Sequence, residues 1–276
     1  MKKLTIQVFS DLHLELTKNI PKITPIAPIL FLAGDISRVN HNSFITFLSY
    51  CNNNWDKTFY TFGNHDYWDN NSHMQYIKQQ TNELLKTNKL TNIHILDNNF
   101  VSLTDDIIVF GSTFWTKNCF TKNESRMYLN DYNMIKYCDV YKLMPTIDYI
   151  TPTIINKIHS EQMIKLYETL NQNELTKDKK IIIMTHFPPQ RTNTSHSKYS
   201  NQHPLLSSYF SHPDDTISNL GDTSNILCWI SGHTHFSYDF INVNGVRLIS
   251  NQMGYVREMM TNESNFDENG LFEITI

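Results

Sequence analysis

Short, almost unbroken apolar runs recur along this chain at residues 4–9, 28–33, 58–62, 180–184 and 226–231, and each ends in a polar motif. Runs of this length, rich in Ile, Leu, Phe and Thr, predict strands buried on both faces, as in a parallel sheet covered by helices. Between them the period changes. Residues 43–51 carry Phe44, Phe47, Leu48 and Cys51 on one helical face, and 72–86 carry Ile77, Leu84 and Leu85 in a weaker version. Thr151-Pro152 reads as a cap followed by proline at the first helical position, opening a long helix marked by Ile155, Ile158, Gln162, Leu166 and Leu170. Residues 93–96, 100–103 and 107–111 predict short strands, the last two joined across Thr104-Asp105-Asp106. Asn244-Gly245 between 238–243 and 246–250 predicts a type I′ hairpin, and 271–276 a strand closing a sheet edge.

Strand and helix groups separated by hairpins predict an α/β fold of two packed mixed β-sheets flanked by helices. With 276 residues, 40% hydrophobic, and no repeat or low-complexity linker, the chain is expected to form a single domain over 1–276. A net charge of −4 leaves no electrostatic footprint for nucleic acid. No apolar stretch is long enough for a membrane span, and Met1-Lys2-Lys3 leads into a strand rather than a signal-peptide core. Cys51, Cys119, Cys138 and Cys228 lack metal or redox spacing and are expected to be free thiols in a cytoplasmic protein. The abundant Asn, Ile and Lys reflect AT-rich codons and carry no chemistry. Oligomeric state leaves no mark.

The motifs that stop the strands are Asp11-Leu12-His13, Gly34-Asp35, Gly63-Asn64-His65-Asp66, Thr185-His186 and Gly232-His233-Thr234-His235. The first three lie about one βαβ unit, roughly 30 residues, apart, which brings them to one carboxyl edge. Carboxylate, amide oxygen and imidazole together suit Mn, Fe, Co or Zn better than Ca or Mg.

In this order the motifs resemble the calcineurin-like metallophosphoesterase superfamily. Residues 10–15, Asn130-Asp131-Tyr132 and 229–238 are similar to its small, largely uncharacterised bacterial-type members. The resemblance implies an α/β/β/α sandwich and two divalent or mixed-valence metal ions. Asp11, His13, Asp35 and His235 would hold one ion, and Asp35, Asn64, His186 and His233 the other. A water or hydroxide shared by the two would attack a phosphomonoester or phosphodiester without a covalent intermediate. It also implies that His65 protonates the leaving oxygen or stabilises the transition state, with Asp66 fixing its tautomer; for Asp66 the alternative is a turn cap.

A phosphate-ester substrate is thus the expected partner, with Arg38 its first candidate contact and Arg191 the second. Chains of this kind often read Asn-Pro-Arg-Gly-Tyr where this one has Asn251-Gln252-Met253-Gly254-Tyr255. The marks of protein Ser/Thr phosphatases are missing after Gly34-Asp35, whereas a small-molecule or cyclic-nucleotide phosphodiesterase fits the compact length. A non-catalytic scaffold would be expected to have lost ligands, and none is lost. Tyr67 and Trp68 are candidates for the substrate mouth, Trp115 for the core. The loop 187–225 is expected to border the metals. His41, His73, His94, His159, His196, His203 and His212 read as structural or solvated rather than liganding.

Overall fold

A computed structural model describes residues 2–17, 23–69, 71–139, 146–171, 174, 176–199, 209–261 and 263–276. In chain order the strands are β1 (Lys3–Phe9), β2 (Ile29–Ala33), β3 (Lys57–Thr61), β4 (Ile93–Leu96), β5 (Asn99–Ser102), β6 (Ile107–Ser112), β7 (Lys136–Asp139), β8 (Thr146–Tyr149), β9 (Lys180–Thr185), β10 (Ile226–Ile230), β11 (Tyr238–Ile241), β12 (Arg247–Ser250) and β13 (Leu271–Thr275). The helices are α1 (Asn42–Asn54), α2 (Met74–Thr87), α3 (Lys122–Tyr128), α4 (Asp131–Met134), α5 (Pro152–Asn171) and α6 (Val256–Met260). One sheet runs β13-β1-β2-β3-β4, the other β11-β12-β10-β9-β6-β5, and β7-β8 form a separate ribbon. Both large sheets are parallel inside, and β13, β11 and β5 close their edges antiparallel.

Alternate residues of each central strand serve two different cores, which is why those strands read as unbroken apolar runs. Leu30 and Leu32 of β2 pack with Phe44, Phe47 and Leu48 of α1. Phe31 and Ala33 instead meet Ile182 and Met184 of β9 and Cys228 and Ile230 of β10, between the sheets. On the far side, Ile181, Ile183 and Trp229 cluster with Leu166 and Leu170 of α5. Three interfaces make four layers, the α/β/β/α order.

The helix starts follow from local chemistry. The Thr151 hydroxyl accepts from Ile154 N at 3.3 Å, capping α5. His41 and His73 cap α1 and α2 with their rings, so both histidines are structural, as expected.

The 238–250 hairpin forms, but its turn is not type I′. Gly245 alone in the turn has positive φ, 77°, whereas type I′ needs two such residues. Asn242 takes over: its carbonyl accepts from Gly245 N and its side chain accepts from Asn244 N and Val246 N, each at 3.0 Å. The ribbon β7-β8 and the short helices α3, α4 and α6 lack a strong period and have no counterpart in the sequence expectation. For α3 there was a readable signal, the capping box of Thr121 and Glu124.

Candidate metal centre

Each chemistry-bearing motif begins within three residues of the carboxyl end of a parallel strand, at the shared edge of the two sheets. The turns there are tight. Asp11, His13, Asp35, His233 and His235 all have left-handed backbones, with φ of 52, 44, 53, 76 and 51°. Non-glycine residues enter that region at a cost of about 1 kcal/mol each, and this concentration at one edge marks a site where side-chain direction outweighs backbone comfort. Glycines make room. A Cβ on Gly63 would run into the Asp35 carboxylate, and one on Gly232 would lie 2.7 Å from Asp11 Oδ2.

The side chains converge in two adjoining groups. In the first, His13 Nε2 and His235 Nε2 lie 3.1 Å apart, with Asp11 Oδ1 3.5 Å from the latter. In the second, Asn64 Oδ1 lies 2.9 Å from His186 Nε2 and 3.1 Å from His233 Nδ1. Asp35 Oδ2 is 3.5 Å from His186 Nε2. Asp11, Asp35 and His186 also present donor atoms within 4.8 Å of one another, which joins the groups. All seven residues are buried or nearly so.

Hydrogen bonds from behind fix these directions. Ala33 O faces His186 Nδ1 at 2.9 Å, leaving Nε2 for the centre. Glu258 Oε2 lies 2.6 Å from His235 Nδ1. Asp131 Oδ1 accepts from Asn64 Nδ2 at 2.9 Å. Asp11 accepts from His233 N at 3.0 Å, and Asp35 Oδ1 from His65 N at 2.8 Å.

The electrostatics call for positive charge. Burial works against the Asp35 carboxylate, yet His186, His65 and His13 outweigh it and hold Asp35 well below the usual range. Burial opposes charge on His186 too, but Asp35 and Asp11 draw it up to about 9. A field that pulls a proton onto a fully buried imidazole favours a divalent cation in its place, which binds with proton release. The residues therefore fit a pair of borderline metal ions in donor type and in charge.

The family of calcineurin-like phosphoesterases matches residues 4–237, a span running from β1 through the second of the paired histidines. This chain belongs to the calcineurin-like phosphoesterases. An uncharacterised protein of Acanthamoeba polyphaga mimivirus is 30% identical over 233 residues, covering 83% of this chain and 79% of that one. The solved phosphopantetheinyl hydrolase of Mycobacterium tuberculosis has the same fold, with a TM-score of 0.65 at 17% identity over 98% of this chain and 95% of its own. A dimetal phosphatase from Danio rerio aligns with a TM-score of 0.48 at 12% identity, over 90% and 87% of the two chains.

Around this phosphoesterase centre, Asp66 departs from expectation. Its Oδ2 accepts from Gly63 N at 2.5 Å and Asp35 N at 3.0 Å, while His65 Nδ1 has no hydrogen-bond partner. Because Asp66 sits inside a single 3-10 turn, His65–Tyr67, its side chain folds back onto the turns that carry Asp35 and Asn64. It binds the backbone of these turns, as the alternative expected, and makes no hydrogen bond to His65. His65 instead stacks on Trp68, ring centroids 3.6 Å apart, with Tyr255 Oη 3.3 Å from its Nε2. Burial pushes His65 down to about 3.

Arg38 lies outside the cleft lining, its Nε 3.9 Å from Glu15 and its guanidinium 5.8 Å from the Trp68 ring. Arg191 is exposed in the loop. Trp68 lines the cleft over the centre; Tyr67 is buried away from it and Trp115 packs on Phe187 in the core. From the loop 187–225, Ser195, Tyr209 and Phe210 reach the cleft. His212 is buried and donates Nε2–H to Phe114 O at 2.9 Å, and His196 Nδ1 accepts from Lys198 N. His203 lies outside the described residues. Sequence reasoning missed Glu258, and passed over Asp131 and Tyr255 within motifs it quoted. A carboxylate or phenol at a strand end is legible, but these three come from irregular segments and short helices.

Proposed function

We propose that this protein hydrolyses phosphoric esters with two metal ions, one held by Asp11, His13 and His235, the other by Asn64, His186 and His233, with Asp35 between them. The observation that carries this is the sorting of seven buried donors into two adjoining groups around one carboxylate. Such a pair supplies Lewis acidity toward phosphoryl oxygen and a water acidic enough to attack near neutral pH. Mn, Fe, Zn and Co all suit the donors.

The chain's own groups do the rest. With its ring pushed down by burial, His65 stands neutral at pH 7 and offers a hydrogen bond to developing charge rather than a proton from an imidazolium. Trp68 holds it by stacking and Tyr255 by its hydroxyl. Beside the centre lies a cleft of about 290 Å³ walled by Trp68, Tyr128, Tyr209, Phe210 and Tyr255, with no Lys or Arg among its described lining residues. Such walls favour a singly charged phosphodiester with an apolar substituent over a doubly charged monoester, which supports the reading as a small-molecule phosphodiesterase. Retention of every ligand speaks against a scaffold. Strands shared between neighbouring cores support one domain over 1–276, and unpaired cysteines support a cytoplasmic setting. Among the described residues no helix is long and apolar enough to cross a membrane.

The test is turnover by Mn-loaded protein of p-nitrophenyl phosphate, bis-p-nitrophenyl phosphate, a cyclic nucleotide and a phosphopeptide. The diester should be fastest, the phosphopeptide inert, and chelation should abolish all turnover. Chelator-resistant activity, or none on any ester, would overturn the proposal.

A further inference from the structure

The amide of Asn64 has two ends that differ little in shape and oppositely in chemistry, since only its oxygen can ligate a cation. What decides which end faces the centre is a group on another segment. Asp131, the first residue of α4 and 1% exposed, accepts from Asn64 Nδ2 at 2.9 Å. The same carboxylate accepts from Trp68 Nε1 at 2.7 Å and from the Tyr209 hydroxyl at 2.5 Å. Three donors from two segments, the turn 64–68 and the loop that carries Tyr209, thus meet on one buried carboxylate. They are the Asn64 amide, the ring on which His65 stacks, and a residue of the loop that borders the cleft. A carboxylate is an acceptor on both oxygens, so it holds the NH₂ end of Asn64 and leaves Oδ1 facing His186 and His233.

We propose that Asp131 is a positioning residue that sets the amide orientation of Asn64 and so the affinity of one metal position of the two. The inference rests on the two-metal reading above. Trp68 shares Oδ1 of Asp131 with Asn64 and Tyr209 takes Oδ2, which holds the carboxylate plane, so that the loop and the His65 shelf share one anchor with Asn64. Replacing the carboxylate by an amide removes the orientation rule, because an amide can donate to Asn64 as well as accept from it. Asn64 is then free to turn its NH₂ toward the centre.

The experiment titrates Mn²⁺ into metal-stripped full-length protein by calorimetry, for the parent, Asp131→Asn, Tyr209→Phe and Leu166→Ala. Leu166 is buried against the far face of the second sheet, so its truncation lowers the melting temperature without touching the centre. The parent should bind two Mn²⁺. Asp131→Asn should keep one position at parental affinity and weaken the other about 10- to 100-fold, the usual effect of losing a group behind a ligand. Tyr209→Phe, which keeps the Asn64 contact, should keep both positions within a few-fold of the parent. If the parent binds no Mn²⁺, the two-metal reading itself fails. If the parent binds two ions and Asp131→Asn binds both as tightly, or Leu166→Ala loses the same position, the role of Asp131 is refuted.

Discussion

Glu258 reaches from the short helix α6 to His235, its Oε2 2.6 Å from Nδ1, and the same oxygen accepts from Tyr255 N at 2.8 Å. This turns His235 Nε2 toward His13 Nε2. The pair is strongly polarised: burial opposes charge on both, yet each favours the charged form of the other, so His235 is raised and Glu258 lowered. Glu258→Gln keeps the shape but loses the charge. It should weaken one metal position about 10-fold or more and spare the other, read by Mn²⁺ titration; unchanged binding of both ions would remove Glu258 from the account.

Asp35 lies between the two donor groups. Asp35→Asn should therefore weaken both ions together and bring turnover to background, measured by elemental analysis alongside ester hydrolysis. Full turnover with two ions still bound would exclude a shared carboxylate.

His65 has a different signature. A neutral imidazole that hydrogen-bonds developing charge helps good and poor leaving groups alike, whereas a proton donor matters mainly for poor ones. His65→Asn should reduce kcat by about 10²–10³ on both p-nitrophenyl and alkyl esters, with metal content unchanged. A loss confined to alkyl esters would instead make His65 a proton donor, and loss of an ion would make it a ligand.

The strand frame and the seven side chains that converge at its edge were legible because the relevant signals are short-range: an unbroken apolar run, then a turn bearing Asp, Asn or His. Asp131 and Glu258 were not, because each meets its partner only through tertiary packing, 67 residues from Asn64 and 23 from His235. The Asp66 role came from the resemblance alone, and two backbone donors, Gly63 N and Asp35 N, engage its carboxylate instead. The Asn244-Gly245 turn failed likewise, because Asn242 offered the backbone a competing acceptor.

Stability should depend on pH through His212, which is buried against Phe114 with ring centroids 4.1 Å apart. Burial pushes it down to about 3, against an ordinary histidine value of 6.5. Below 6.5 the unfolded chain takes up a proton that the folded chain refuses, so this group's contribution to stability is intact above pH 6.5 and lost as pH falls toward 3. Its slope is about 1.4 kcal/mol per pH unit within that window. In metal-free protein, His212→Gln should flatten the pH dependence of the urea midpoint between about pH 6 and pH 4 by roughly that amount. An unaltered slope would mean His212 is protonated in the folded state.

The most direct test of the two-metal centre is anomalous scattering from crystals grown with Mn²⁺. Two peaks are expected at the shared sheet edge, one surrounded by Asp11, His13 and His235 and the other by Asn64, His186 and His233, with Asp35 touching both. A single peak, or one seated among His13, Glu15 and His65, where a third group of donor atoms also converges, would contradict it.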